Sequence, residues 1–121
     1  MTFQIFAELK PPVFDTVRMF TAPGGSNLGV QGTLLMVNQG NTEVNVGNIA
    51  ADYGNDSDFI RVGVSNSVVL GQDGYLMYDT LMPPNHMSQL QNINLPSGGS
   101  IFVYSQKGQT SFVFTGSTIT V

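Results

Sequence analysis

Charge is what this chain has least of: Asp, Glu, Lys and Arg make up 10% of its 121 residues, against about 25% in an ordinary soluble domain. The only basic side chains besides one histidine are Lys10, Arg18, Arg61 and Lys107, and the formal net charge is −4. No basic patch exists that could neutralise a phosphate backbone, so nucleic acid is not an expected partner. Cysteine is absent, which excludes disulfides, thiolate nucleophiles and thiolate metal sites together. Tryptophan is also absent, which weakens any reading as a sugar-stacking surface. Nowhere do about 18 apolar residues run together. The segment Met1–Lys10 has neither the basic start nor the apolar stretch of a signal peptide, so the chain is expected neither to span a membrane nor to leave the cell by that route. Helix is disfavoured as well, because no window shows an i, i+3, i+4, i+7 apolar stripe, and 14 glycines and six prolines would interrupt most helices.

In place of charge there are amides and hydroxyls. Asn, Gln, Ser and Thr supply nearly a third of the chain. A surface of neutral polar groups hydrogen-bonds well and repels its neighbours weakly, which suits a subunit packed against copies of itself or a larger scaffold. Apolar residues recur at every second position, the spacing that puts side chains on one face of a strand. Ile60, Val62 and Val64 alternate in this way, as do Val44 with Val46 and Phe112 with Phe114. Thr33–Val37 and Ile101–Tyr104 are apolar on both faces, as interior strands are. Turn formers separate these runs about every ten residues, for example at Pro23–Asn27, Gly71–Gly74, Pro83–Asn85 and Pro96–Gly99. The expectation is an all-β protein, a single antiparallel β-sandwich or jelly-roll domain over residues 1–121, with at most a short helical turn at Asn48–Asp52. Parity changes near the C-terminus, from even at Phe114 to odd at Ile119 and Val121, so a bulge or bend is expected at Gly116, or else departure of the tail. Residues 1–13 and 117–121 are accordingly read as arms that contact partners, with Phe3, Ile5, Phe6, Ile119 and Val121 as the interface residues.

Catalytic and ligand-binding patterns are sparse. Asp52, Asp56 and Asp58 cluster with Tyr53, Asn55 and Ser57 in a loop whose oxygens could serve a hard cation, but the spacing is not that of an EF-hand; a solvated turn is the plainer reading. His86 is the sole imidazole, no nucleophile elbow frames any serine, and nothing specifies Asp79 as its orienting partner, so it reads as a turn residue. Gly24–Gly25 and Gly98–Gly99 open no helix and lack a phosphate-loop lysine, so they read as turns. Tyr53, Tyr75, Tyr78 and Tyr104 could form a sugar platform, although strict alternation places Tyr75 and Tyr78 on opposite faces of one strand. No acid, base and nucleophile can be named together, so the chain is expected to be no enzyme, with no catalytic residues, no metal and no cofactor.

Four segments carry a resemblance: Leu35–Asn41 (LMVNQGN), Asp58–Ser65 (DFIRVGVS), Asp73–Asn85 (DGYLMYDTLMPPN) and Ile101–Gly116 (IFVYSQKGQTSFVFTG). Together they resemble small virion structural proteins of tailed phages, cyanophages among them. In that group a V-x-V-N-x-x-N strand precedes a V-x-V strand, a Y-x-x-Y-D-T-x-L-P-P-N hinge and a V-Y-S…V-x-V-x-G hairpin. The resemblance covers roughly residues 33–116. It departs at the first 13 residues, at Asn48–Asp58 and at Ser117–Val121, where partner-specific contacts would sit. It implies a non-enzymatic component of a phage particle, made in the host cytoplasm and residing in the virion. The leading expectation is a capsid decoration or cement protein, bound to the major capsid protein and self-associating. The alternatives are a neck, tail or baseplate/fibre-attachment accessory protein and a stand-alone carbohydrate-binding module.

Overall fold

Eight strands and no helix account for the regular structure in this computed structural model, which describes residues 4–24, 27–40, 57–71 and 74–120. The strand expected at 44–46, the turn at 48–52 and most of the acidic loop lie outside the described residues. The strands are β1 (Gln4–Leu9), β2 (Val17–Thr21), β3 (Asn27–Asn38), β4 (Asp58–Ser65), β5 (Tyr75–Met82), β6 (Met87–Pro96), β7 (Ser100–Ser105) and β8 (Thr110–Thr120). They pair as nested antiparallel partners: β4 with β5, β3 with β6, β2 with β7 and β1 with β8. This long hairpin rolls up so that β8 also lies beside β3, and β7 beside β4. The result is two four-stranded sheets, β1-β8-β3-β6 and β2-β7-β4-β5. That is the jelly-roll order, one of the two arrangements the alternation predicts.

The facing surfaces hold the core. Val30, Leu34, Met36, Phe112 and Phe114 from the first sheet meet Ile60, Val62, Ile101 and Val103 from the second. The two segments that are apolar on both faces fall in β3 and β7, both interior strands. Along the side where β1 approaches β2, Phe6, Phe20 and Phe114 stack with ring centroids 5.1–5.5 Å apart.

At the C-terminus β8 runs in unbroken register with β3 through Gly116, which faces Gly32. The expected bulge at Gly116 is therefore replaced by a close approach of two strands. A Cβ at Gly116 would collide with the Gln31 carbonyl oxygen and the Gly32 Cα, and one at Gly32 with the Thr115 carbonyl. Glycine is required here because two backbones occupy the space. Gly116→Ala is expected to cost about 2 kcal/mol, in the range of overpacking, with a matching fall in the midpoint of urea unfolding. The tail stays in the sheet as well, with Ser117, Thr118 and Ile119 paired to Gln31, Val30 and Gly29.

Candidate functional site

The outer face of the β2-β7-β4-β5 sheet carries the most elaborate cluster of polar and aromatic side chains. Arg61 projects outward from β4, between Tyr104 on β7 and Tyr78 on β5. Its Cζ lies 4.4 Å from the Tyr104 ring centroid and 4.2 Å from that of Tyr78. Arg61 Nε donates to Asp79 Oδ1 at 2.7 Å. That bond raises the guanidinium above its already high ordinary value, so it stays charged. Asp79 is held at φ 49°, a left-handed conformation that Asp and Asn tolerate better than other side chains.

Tyr75 and Tyr78, expected on opposite faces of one strand, share the outer face of β5. In the β4·β5 register Ile60 faces Thr80, Val62 faces Met77 and Gly63 faces Tyr75. Two irregularities thus break strict alternation on β5, and the additional residue Leu76 brings Tyr75 back to the outer face. The two tyrosine rings meet edge to face at 5.0 Å. Beside them Phe59, Arg61, Asp79, Tyr104 and Gln106 line an open cleft of about 270 Å³. On the same face Gly63 leaves room that the Leu70 side chain fills.

Asp58 belongs elsewhere. Instead of joining a cation loop it is fully buried, and its oxygens are engaged by protein donors. Oδ1 accepts from the backbone N–H of Phe59 and of Lys107, both at 2.9 Å. Oδ2 accepts from Thr110 Oγ1 at 2.7 Å and from the Ser105 hydroxyl. The carboxyl group ties the start of β4 to the turn between β7 and β8, which is a structural task and uses up its ligand capacity. The other acidic residues of that cluster, at 52 and 56, lie outside the described residues. Among the described residues no three His, Asp or Glu side chains gather as a metal would need.

Asn38 is a second buried polar tie that alternation alone does not reveal. Its Nδ2 donates to the Met82 and Pro83 carbonyls at 2.8 and 3.2 Å, and its Oδ1 accepts from Gly40 N–H at 2.8 Å. It thereby clasps the Pro83–Asn85 hinge to the end of β3. His86 is exposed in that hinge, its backbone N–H bonded to the Pro83 carbonyl, and Asp79 serves Arg61 instead. Gly98, at φ 81°, and Gly99 form the β6–β7 turn, where Gly99 N–H bonds the Pro96 carbonyl.

Of the expected interface residues, Ile5 is 61% exposed on β1, an edge strand. Phe6 turns inward against the core, and Ile119 is half-buried opposite Gly29. Phe3 and Val121 lie outside the described residues. A different surface stands out in the folded chain. β3, β6 and β8 contain no Asp, Glu, Lys, Arg or His between them, and they are adjacent in one sheet. Their outward positions include the partners Leu35 and Val113 and the partners Val37 and Met87, with Gln31, Thr33, Gln89, Ser111 and Thr115 around them. Glu8 on β1, paired with Val113, is the one charged side chain in the strands of that sheet. The chain matches no family model, no curated protein and no solved structure.

Proposed function

We propose that this protein is a non-enzymatic structural component of a phage particle, a decoration subunit seated on the capsid shell through its β1-β8-β3-β6 face. The observation that carries the reading is that face: three adjacent strands without a charged side chain. A charge-free surface of amides, hydroxyls and half-buried Leu35, Val37 and Val113 loses little on desolvation and repels no neighbour. Three further points support it: the resemblance in residues 33–116, the low overall charge, and the jelly-roll order shared with many viral shell domains. The last is a likeness of architecture, and function resides in the site. Attachment would act by burial and hydrogen bonding alone, with many weak contacts adding up across a repeated lattice.

Stoichiometry in a purified particle tests this directly, by quantitative mass spectrometry against the major capsid protein. A shell decorator is expected at one copy per one or few capsid subunits. A few dozen copies or fewer would move it to the neck, tail or baseplate, and absence from the particle would overturn the reading. Gln31→Arg with Gln89→Arg places charge on the proposed face at exposed positions. That pair is expected to change stability by only about 0.5 kcal/mol while emptying the particle of the protein.

A further inference from the structure

We propose that the cleft beside Arg61 is a binding site for a neutral sugar ring bearing two adjacent hydroxyls. The pair at its base offers one donor group and one acceptor side by side. Nε of Arg61 and Oδ1 of Asp79 are used on each other. The terminal Arg61 nitrogens and Asp79 Oδ2 make no hydrogen bond among the described residues. A hydroxyl both donates and accepts. One of two adjacent sugar hydroxyls can accept from the guanidinium while the next donates to the carboxylate.

Both groups are held in place before any ligand arrives. The guanidinium is flanked by the Tyr78 and Tyr104 rings at 4.2 and 4.4 Å, and Asp79 is set by its left-handed backbone at φ 49°. Such preorganisation reduces the ordering cost of binding. Phe59, 39% exposed on the same cleft, presents an apolar ring to the C–H face of a sugar, and Gln106 adds a planar amide. At about 270 Å³ the cleft is smaller than the ~300–1,000 Å³ typical of drug-sized sites, which suits one ring. Charge argues against phosphate or carboxylate ligands, because Asp79 cancels Arg61 and would repel an anion. The site lies on the sheet opposite the proposed shell-binding face, so a decorated particle would display it outward. It does not depend on that reading, because the isolated protein can be tested alone.

The experiment is a titration of the purified full chain with the methyl glycosides of glucose, galactose and mannose, followed by backbone amide shifts and saturation-transfer NMR. The expected result is millimolar binding of at least one glycoside, with shifts at Phe59, Asp79 and Gln106. Asp79→Asn keeps a residue that tolerates the left-handed conformation, and Arg61→Lys keeps the charge but loses the planar fork. Each is expected to weaken binding about tenfold with unchanged far-ultraviolet dichroism. No shift with any of the three sugars would overturn the proposal, as would full binding by both variants.

Discussion

Asp58→Ala is expected to lower the melting temperature by about 15 °C, the consequence of losing about 4 kcal/mol of stability. The side chain is fully buried and accepts four hydrogen bonds, from two backbone N–H groups and two hydroxyls. Truncation removes the acceptors and leaves four donors around a small void, and each buried donor without a partner costs about 1–3 kcal/mol unless water enters. Solvent reaching the Lys107 turn offsets part of that sum. Asp58→Asn retains one carbonyl oxygen and presents an NH2 group to the other donors. Its loss is expected at about 2 kcal/mol, because the Thr110 hydroxyl can rotate to accept while the backbone amides cannot, and Ser105 Oγ already accepts from the Gln109 and Thr110 N–H groups. Urea unfolding of both variants checks the order. A loss below about 1 kcal/mol for Asp58→Ala would show that the carboxyl group is not the tie between β4 and the β7–β8 turn.

Phe114→Ala should have an effect of similar size, about 4 kcal/mol, the usual range for a buried phenylalanine. Phe114 is completely buried and its ring touches Phe6 on β1 and Phe20 on β2 at 5.5 Å. The cavity would open where both sheets meet the first strand. Phe6→Ala, at a half-buried position, is expected to cost about 2 kcal/mol. In the double variant the two losses should fall short of additivity by about 1 kcal/mol, the coupling of one aromatic pair. Strict additivity would mean that β1 is not packed on the core. Residues 4–9 would then belong to a partner-contacting arm, as expected from the sequence for residues 1–13. The measured coupling thus decides whether the N-terminal strand is part of the sandwich or available to a neighbour.

Periodicity made the strands legible in advance. Ile60 with Val62, Phe112 with Phe114, and the two-sided runs Thr33–Val37 and Ile101–Tyr104 all lie in strands, with their expected positions in the core or in interior strands. The candidate site was legible only in its ingredients. Counting two residues per face separates Tyr75 from Tyr78, a rule that the irregular β4·β5 register breaks. Chain proximity groups Asp58 with its acidic neighbours, whereas its hydroxyl donors Ser105 and Thr110 are 47 and 52 residues away. Arg61 is not legible as a site residue, because a lone arginine in a strand has no signature until its flanking strands are known.

The sequence by itself determined that the protein is built of strands, that turn formers break them at short intervals, and that four of the described strands carry no charge. These follow from alternation, backbone preference and composition, which are properties of neighbouring residues. Only the tertiary structure decided that β3, β6 and β8 lie side by side and so merge three uncharged strands into one face. It likewise decided that Arg61, Tyr78, Asp79 and Tyr104 meet, and that Gly32 stands against Gly116. Those outcomes depend on which strands pair, in what register and around which bulges. The free energy that selects them comes from burying side chains far apart in the chain, and no local pattern records it.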